Sequence, residues 1–523
     1  MKRVPVPLVA SMFVAAAIVS VYGYQSHYGP SGLISYDKAK SYGGYNLLTP
    51  LRPGPAPDFG YHATYLIDME GRVIKSWPLP QYGYTIEKQT QFLDNGNLLR
   101  RISNSTWEHG WDDSWPGTNP AASPTDAARL QELDWDGNIV YEIVDRRSGY
   151  AHHHTFEKIF NRKVGAYTIL SIASRNITHE QAIAAGADPR RRDDYTSFPD
   201  GVVEFDLAGN VIWEWNIFDH LVQDVDPTKA NHGVVKDHPG KLDVNFGRGR
   251  SGNWIHMNSM DYNETLGQIV VNNSVDSEFY VIDHQGTFMA GDPEASIAMA
   301  ASDAGDFLFR WGNPTVYDAG PGQSYSEERG ASDGDQQVFF SHDIQWIRPT
   351  AYAGGPALPG AGHFLIFDNG TRHLATGYAY SAVLEINPYD GPMEKGIYAP
   401  QQEAGYRSVR VYTGARRTSN QVVWMYTSKD PASFWSRHIS GMTRLPNGNT
   451  MVTAATWGQL FEVTPDGEVV WEYKLPIVPG VGPKKVLADG DAAQTFVTFR
   501  YGPDHPALRG RDLTPKGLLT DLD

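Results

Sequence analysis

Apolar and polar residues alternate with a period of two in six similar segments of the chain. Each segment contains an alternating run, a polar turn with a glycine, and a second run that often ends in Trp or Tyr. This pattern predicts a β-hairpin, because alternate residues of a strand face opposite sides and glycine supplies the positive φ of a tight turn. The predicted hairpins cover residues 65–77, 130–143, 202–215, 279–288, 383–391 and 461–473.

A second type of strand-rich segment lies between these hairpins. The hairpin glycines follow one another at intervals of roughly 65 to 105 residues, which suits one propeller blade with insertions. A closed ring of blades also leaves no long strand edge bare. We therefore predict an all-β fold, a six-bladed β-propeller. The second segments, each expected to form the inner half of a blade, cover residues 90–102, 154–172, 258–273, 344–370 and 442–454.

The N-terminus reads MKRVPVPLVASMFVAAAIVSVYGY, two positive charges followed by a mostly apolar stretch. This composition is typical of a secretory signal or an uncleaved anchor, so we expect an exported protein, periplasmic or extracellular, free or tethered to a membrane. We divide the chain into a signal or anchor at 1–24, a short β-rich lead-in at 25–55, a propeller at 56–485 and a tail at 486–523.

The composition of the chain excludes cysteine-based catalytic and metal-binding groups and argues against a nucleic-acid partner. The chain has 523 residues, a net charge of −16 and scattered basic residues, so nucleic acid is not an expected partner. It contains no cysteine, which excludes thiol nucleophiles, disulfides and zinc–thiolate sites. Any nucleophile must therefore be another side chain, and an anionic substrate needs a local cationic pocket.

Histidines recur just before the predicted innermost strands. In a propeller these positions converge on the central axis, so we expect the four histidines to share one pocket. Imidazole acts as a nucleophile, an acid or a base near neutral pH. The alternative for each histidine taken alone is a packed or surface residue. The four positions are His154, His256, His342 and His438.

Two further expectations concern the neighbours of these histidines. His152 and His153 are expected to flank the pocket, and because alternate residues of an extended segment face one way, His152 and His154 should share a face. Arg372 follows the turn at 368–370 and is suited to bind an anionic group bidentately, the alternative being a solvated charge in a loop.

At these residues the chain resembles the arylsulfotransferase family, the aryl-sulfate sulfotransferases that use a sulfated phenol rather than a nucleotide donor. The similarity runs from about residue 43 to about residue 475. The matching segments are GYNLLTPL, YLIDMEGRVIKSW, HHHTFEKI, WIHMNSMDYN, SHDIQWI with HFLIFDNGTR, and SGMTRLPNGNT with GQLFEVTPDGEVVWEY.

The resemblance implies a six-bladed propeller, export, and ping-pong transfer of a sulfuryl group from an aryl sulfate to a phenol through a sulfohistidine, without a cofactor. His256 and His342 would bind the sulfuryl oxygens or assist proton transfer, and Arg372 would clamp the sulfate. Substrate binding would also involve His154, Asn258 and Asn369.

One motif departs from the family. There, the nucleophilic histidine comes just before an aromatic-aromatic-Ser run; here that run is Phe434-Trp435-Ser436, preceded by Ala432 and Ser433. His438 lies on the other side of the run. Either His438 has taken over the role of nucleophile, or this member lacks one.

Two other classes of function stay open at the level of sequence. Three convergent imidazoles, from His154, His256 and His342, would also suit Zn²⁺ in a metal-assisted hydrolase or lyase. A non-catalytic propeller that binds an anionic or aromatic ligand is the third possibility, because a fold does not imply a function.

Overall fold

The fold was analysed on a computed structural model of the chain, with the strands, helices and contacts taken from the segments that it describes. These are residues 28–51, 63–78, 85–86, 90–103, 129–191, 197–246, 252–326, 330–371, 378–388, 409–412, 416–419, 421–479, 481–491 and 493–522.

Six antiparallel sheets of four or five strands form the blades of a propeller, which confirms the predicted all-β, six-bladed fold. Blades 3, 4 and 5 each take four strands in chain order, from the innermost strand outward. Blade 3 contains Tyr150–Asn161, Ala166–Arg175, Asp200–Phe205 and Val211–Asn216; blade 4 contains Met257–Asn263, Gln268–Asn273, Glu278–Asp283 and Phe309–Trp311; blade 5 contains His342–Trp346, Phe364–Asp368, Ala382–Ile386 and Val422–Tyr426.

The two ends of the chain close the ring. Blade 1 takes its innermost strand, Phe499–Tyr501, from the segment predicted as a tail, and blade 6 takes its outermost strand, Gly32–Tyr36, from the predicted lead-in. The rest of blade 1 is Tyr45–Leu48, Ala63–Asp68 and Val73–Pro78; blade 2 is Thr85–Ile86, Gln91–Phe92, Leu98–Ser103, Arg129–Leu133 and Ile139–Val144; the rest of blade 6 is Gly441–Arg444, Thr450–Ala454, Gln459–Val463 and Val469–Lys474.

Four of the six predicted hairpins are confirmed, at 65–77, 130–143, 202–215 and 461–473. The prediction at 279–288 was wrong, because Gly286 lies in a helical turn, His284–Thr287, and the next strand of that sheet starts at Phe309. The side chain of Asp283 caps this turn by accepting the N–H of Gly286 at 2.7 Å. Gly391 lies outside the described residues.

Short helices, 3₁₀ turns and two-stranded sheets lie outside the sheets of the blades. The other α-helices are His179–Ala184 and Pro293–Ala300, and the 3₁₀ turns are Pro189–Arg191, Ile217–Asp219, Val235–Asp237, Asp303–Gly305, Pro314–Tyr317, Pro431–Ser433, Ala455–Trp457, Pro506–Leu508 and Leu519–Asp521. Paired two-stranded sheets are Gly29–Pro30 with Val486–Leu487, Ser197–Phe198 with Gly252–Asn253, Leu221–Val222 with Leu242–Asp243, Ser324–Ser326 with Gly330–Ser332, Val409–Tyr412 with Arg416–Ser419, and Ile477–Val478 with Gly482–Pro483.

The core lies between neighbouring blades. Aromatic residues at the ends of the hairpins pack there, as their position in the repeat predicts: Trp77, Trp215 and Trp471 are each at most 1% exposed. Some buried indole N–H groups are satisfied across blades, as where Trp77 donates to the carbonyl of Trp135 at 3.2 Å. In the segments that the structure describes, no helix is long and apolar enough to cross a membrane, and residues 1–24 lie outside those segments.

Candidate active site

The innermost strands of blades 3, 4 and 5 each contain a break in regular β-structure close to a histidine. His154 and His256 have φ values of 54° and 47°, and the strand pairing of all three blades shifts register at this level. In blade 6, Ile439 has a φ of 50° just before the strand that starts at Gly441. A non-glycine residue in this conformation costs on the order of 1–3 kcal/mol, and such strain collects at functional sites.

These breaks bring three of the predicted histidines around one aromatic side chain, Phe496. The rings of His154 and His256 meet edge to face with centroids 5.0 Å apart. Phe496 lies 5.8 Å from the ring of His154 and 6.1 Å from that of His342, and it is 1% exposed. We call this cluster of His154, His256, His342 and Phe496 the histidine end of the central channel.

His154 is bonded to its own neighbour. The Nδ1 atoms of His153 and His154 lie 2.8 Å apart, so one proton is shared between them. On its other side, His153 Nε2 lies 3.0 Å from Asp200 Oδ1 and 2.9 Å from the hydroxyl of Ser174. A buried carboxylate therefore stands behind the pair of rings.

The prediction that His152 and His154 share a face was wrong. His152 Nδ1 contacts the hydroxyl of Ser171 at 2.9 Å, and its Nε2 contacts Asp145 at 2.9 Å. Burial lowers the pKa of His152, although Asp145 opposes that shift. The register shift after His152 interrupts the alternation, so His153 and His154 turn toward each other.

Both ring nitrogens of His342 are hydrogen-bonded to other residues of the protein. Its Nδ1 lies 2.6 Å from Asn369 Oδ1, and its Nε2 accepts the backbone N–H of Ile439 at 3.2 Å. Because a backbone N–H only donates, His342 carries its proton on Nδ1 and is neutral. The ring therefore holds the chain next to His438 and has no nitrogen left for a sulfuryl oxygen.

His438 lies beside this cluster on a loop, residues 434–440, that hydrogen bonds hold in place. We call it the pinned loop. The amide of Asn369 donates to the carbonyls of Ser436 and Ile439 at 2.7 and 2.9 Å. His438 is 7% exposed, and its Nδ1 lies 3.2 Å from Arg437 Nε and 3.4 Å from the hydroxyl of Thr456. The neighbouring Ile439 packs against Phe496, which joins the loop to the histidine end.

The structure describes two of the three remaining predicted site residues, Asn258 and Asn369. Asn258 is fully buried, donates to the carbonyl of Ser341 at 2.9 Å and accepts from Asn272 at 2.8 Å, so it ties blades 4 and 5 together. Asn369 is likewise buried and positions the 434–440 loop. Arg372 lies outside the described residues, and its role stays a prediction.

The other end of the channel opens into a cavity of about 240 Å³. Three innermost strands line it with carboxylates, and each carboxylate accepts a backbone N–H from the next blade: Glu157 from Tyr262 at 3.0 Å, Asp261 from Trp346 at 2.8 Å and Asp343 from Met442 at 3.0 Å. Arg348 donates to both Glu157 and Asp261. We call Glu157, Asp261, Asp343 and Arg348 the carboxylate end.

Sequence reasoning missed several residues of the site. Phe496 lies in a segment without a repeat, and Asp200 is the first residue of the third strand of blade 3, so neither position carries a signal in the sequence. Thr456 follows a strand of blade 6 and lies in a 3₁₀ turn. His153 stands in the HHH run, where the assumption of strict alternation assigned it to the flank.

The histidines do not form a metal-binding set. Within the described part of the chain, no group of three His, Asp or Glu side chains is arranged to hold a metal ion. The positive reason is that both nitrogens of His342 are already bonded, one to Asn369 and one to Ile439. The three-histidine zinc site considered from the sequence is not assembled here.

Comparison with known families agrees with the sequence motifs. The profile of the family Arylsulfotransferase (ASST) matches residues 157–475, more than half of the chain. The chain therefore belongs to the arylsulfotransferase family, and its propeller and family support an aryl-sulfotransferase-like function. No curated protein matches the sequence significantly.

Solved structures resemble the chain only distantly. A protein of unknown function from Bacteroides caccae is 11% identical, with 87% of this chain and 98% of that chain covered and a TM-score of 0.37. The periplasmic gluconolactonase of Pseudomonas aeruginosa is 9% identical, with 85% and 99% covered and a TM-score of 0.34. An inactive virginiamycin B lyase of Staphylococcus aureus is 9% identical, with 87% and 88% covered and a TM-score of 0.30. These similarities carry no functional inference.

Proposed function

We propose that this protein transfers a sulfuryl group from an aryl sulfate to a phenol through a sulfohistidine, with His438 as the nucleophile. The observation that carries the proposal is the pinned 434–440 loop, which sets His438 beside the histidine end in a member of the arylsulfotransferase family. Such rigid placement is what a nucleophile needs, because misplacement by about 1 Å can cost a factor of about 100 in rate.

The reaction has two balanced halves. First, a lone pair of His438 Nε2 attacks the sulfur of the aryl sulfate, the S–O bond to the aryl group breaks, and the departing phenolate takes a proton from the protein. Then the acceptor phenol gives a proton back to the protein and its oxygen attacks the same sulfur. The N–S bond breaks and returns the electron pair to His438. The transferring group spreads negative charge over its oxygens, so nearby cations and N–H donors stabilise it.

The attack requires one tautomer of His438, with its proton on Nδ1. Thr456 Oγ1 is suited to accept that proton, since it lies 3.4 Å from Nδ1 and donates its own hydrogen to the carbonyl of His438 at 3.0 Å. In the structure Arg437 Nε donates to this nitrogen at 3.2 Å, so the attacking tautomer requires the exposed side chain of Arg437 to turn away toward the anionic donor. Thr456 is thus proposed to set the tautomer and Arg437 to attract the donor; Arg372 is expected to clamp the sulfate.

The direct test is a transfer assay with trapping of the intermediate. Purified protein with 4-nitrophenyl sulfate should release nitrophenolate in an acceptor-dependent manner. With ³⁵S-labelled donor and no acceptor, label should accumulate on the protein, be discharged by added phenol, and map to the peptide that contains His438. A protein that releases no nitrophenolate contradicts the proposal, and label on a different histidine contradicts the choice of His438.

We also propose that the protein acts outside the cytoplasm, as the apolar N-terminal stretch suggests. Fractionation of cells that express the full chain tests this directly. The protein should be found in the periplasmic, extracellular or membrane fraction, and recovery in the cytoplasm alone would contradict the proposal.

A further inference from the structure

We infer that His154 is the acid–base group of this transfer and that His153 and Asp200 form a relay that holds its proton. The inference rests on the proposed function and adds to it a group that protonates the leaving phenolate and deprotonates the acceptor. It is argued from the chain of contacts Asp200–His153–His154, whose three members are each at most 8% exposed.

The relay begins at a carboxylate that is held in its charged form. Asp200 Oδ1 accepts the hydroxyl of Ser174 at 2.6 Å, and Oδ2 accepts the backbone N–H of Met257 at 2.7 Å. Burial by itself raises the pKa of Asp200, but His153 and these donors outweigh it and the pKa lies below its usual value. An ionised Asp200 requires that His153 carry a proton on Nε2, the nitrogen 3.0 Å away.

The contact between the two Nδ1 atoms then allows two states. When His153 is neutral, its Nδ1 accepts, so His154 donates from Nδ1 and keeps a basic lone pair on Nε2. When Nε2 of His154 gains a proton, the shared proton passes from Nδ1 of His154 to Nδ1 of His153 across their 2.8 Å contact, and the positive charge comes to lie beside Asp200. His154 thereby exchanges protons at Nε2 without holding a charge itself.

The ping-pong reaction needs a group that works in both directions. In the first half, His154 Nε2–H gives its proton to the phenolate oxygen as the S–O bond breaks, and the Nδ1 proton returns from His153. In the second half, His154 Nε2 takes the proton of the acceptor phenol as that oxygen attacks sulfur. Protons and charge balance over the two halves, and no further reactant is needed. His154 packs against Phe496, with ring centroids 5.8 Å apart, and Phe496 packs against Ile439 in the loop that carries the proposed nucleophile.

The chain offers a matched control in the preceding residue. His152 also pairs with a buried carboxylate, Asp145, at 2.9 Å, but it contacts Ser171 and Phe205 and none of the clustered histidines. Replacing it removes an equivalent histidine–carboxylate pair from the same strand without touching the relay.

The test uses aryl sulfate donors whose leaving phenols span a wide range of acidity. A positioned general acid is worth about 100-fold or more, and its loss matters most for poor leaving groups. For His154→Gln we expect at least about 100-fold slower turnover of phenyl sulfate but less than about fivefold for 4-nitrophenyl sulfate. His153→Gln should show the same selectivity to a smaller extent, and His152→Gln should slow all donors equally and little.

The outcomes separate the two proposals. If the wild-type protein transfers no sulfuryl group, the proposed function fails, and the relay fails with it. If the wild-type protein is active but His154→Gln and His153→Gln slow every donor by the same factor, only the relay is overturned. Should the variants not fold, ¹⁵N-histidine NMR of the wild-type protein decides: the relay requires a proton on Nε2 of His153, and a bare Nε2 there overturns it.

Discussion

The two ends of the central channel differ in chemistry although the same strands build them. At the histidine end, His342 begins an innermost strand and its neutral ring holds a loop in place. One residue later, Asp343 accepts a backbone N–H of blade 6 at 3.0 Å and so joins two blades. In blade 3, His154 likewise belongs to the histidine end, and Glu157 accepts a backbone N–H of blade 4. Each of these strands thus carries a histidine of the candidate site and, a few residues later at most, a carboxylate that joins the strand to the next blade.

The two ends also handle buried charge differently. At the carboxylate end, Arg348 lies between Glu157 and Asp261, and Arg500 pairs with Glu462 nearby. At the histidine end the polar groups are mostly imidazoles, amides and hydroxyls, which can be buried as neutral, hydrogen-bonded groups at a smaller cost of desolvation than charges. Ion pairs that stay charged are suited to holding the blades together, whereas imidazoles that gain and lose a proton are suited to proton transfer.

The largest contrast is expected between two histidines at opposite ends. His438→Ala should lower kcat by at least about 1,000-fold, because it removes the proposed nucleophile. His505→Ala removes a buried histidine that lines the cavity at the carboxylate end and packs against Tyr352, and kcat should stay within about twofold. Steady-state transfer assays on both variants, with thermal unfolding as a check of folding, measure the contrast. Equal losses would contradict the division between the ends.

The second prediction concerns His342 as a positioning residue. His342→Ala leaves the buried Oδ1 of Asn369 and the Ile439 N–H without their partner, and each unsatisfied group costs about 1–3 kcal/mol. We expect kcat to fall by roughly tenfold to 100-fold and the free energy of unfolding to fall by about 2–4 kcal/mol. Denaturant unfolding and kinetics together test this. A variant that loses activity at unchanged stability would indicate direct contact with substrate instead.

The third prediction concerns the tautomer of His438. Thr456→Val keeps the shape of the side chain but removes the hydroxyl that lies 3.4 Å from Nδ1. The kcat should fall by about tenfold with little change in KM, and Thr456→Ser should recover most of it. If Thr456→Ser is as slow as Thr456→Val, a hydroxyl at this position does not restore the rate, and the tautomer argument is wrong.

The smallest effect on activity is expected for Asp343. Burial raises the pKa of this carboxyl to about 7, and its described partners are N–H groups of Met442 and Gln345. The folded state then holds a proton that the unfolded state releases, so wild-type stability should fall as pH rises from about 4 to about 7. Asp343→Asn cannot ionise, and it should flatten this dependence by an amount on the order of 3 kcal/mol.

Denaturant unfolding of wild type and Asp343→Asn between pH 4 and pH 8 measures this effect. Transfer activity should remain within about twofold of the wild type, because Asn retains an oxygen that can accept the N–H of Met442. A variant whose stability changes with pH as steeply as that of the wild type would assign the dependence to another group.

The repeat made much of the fold predictable. Alternation and turn glycines sufficed for the hairpins at 65–77 and 461–473, because a two-residue period and a positive φ are local properties. The hairpin at 279–288 failed for a reason that is also local: the caps of Asp283 favour a helical turn where a tight β-turn was expected. The closing strand Phe499–Tyr501 had no repeat to reveal it.

The candidate site was predictable only as a set of histidines. His154, His256, His342 and His438 were found from their position before innermost strands. Their roles were not, since His342 has both nitrogens bonded while His153, assigned to the flank, joins His154. A bulge of one residue reverses which side a strand residue faces, and sequence alternation does not show where a bulge lies.

By itself, the sequence determined the β-period, the six-blade repeat, the cysteine-free chemistry and membership of the arylsulfotransferase family, because each of these depends on neighbouring residues or on motifs. Only the tertiary structure decided which nitrogen of each histidine is occupied, which carboxylate stands behind it and that Phe496 fills the space among the rings. The physical reason is that these contacts join residues from distant blades, and they exist only once the ring has closed.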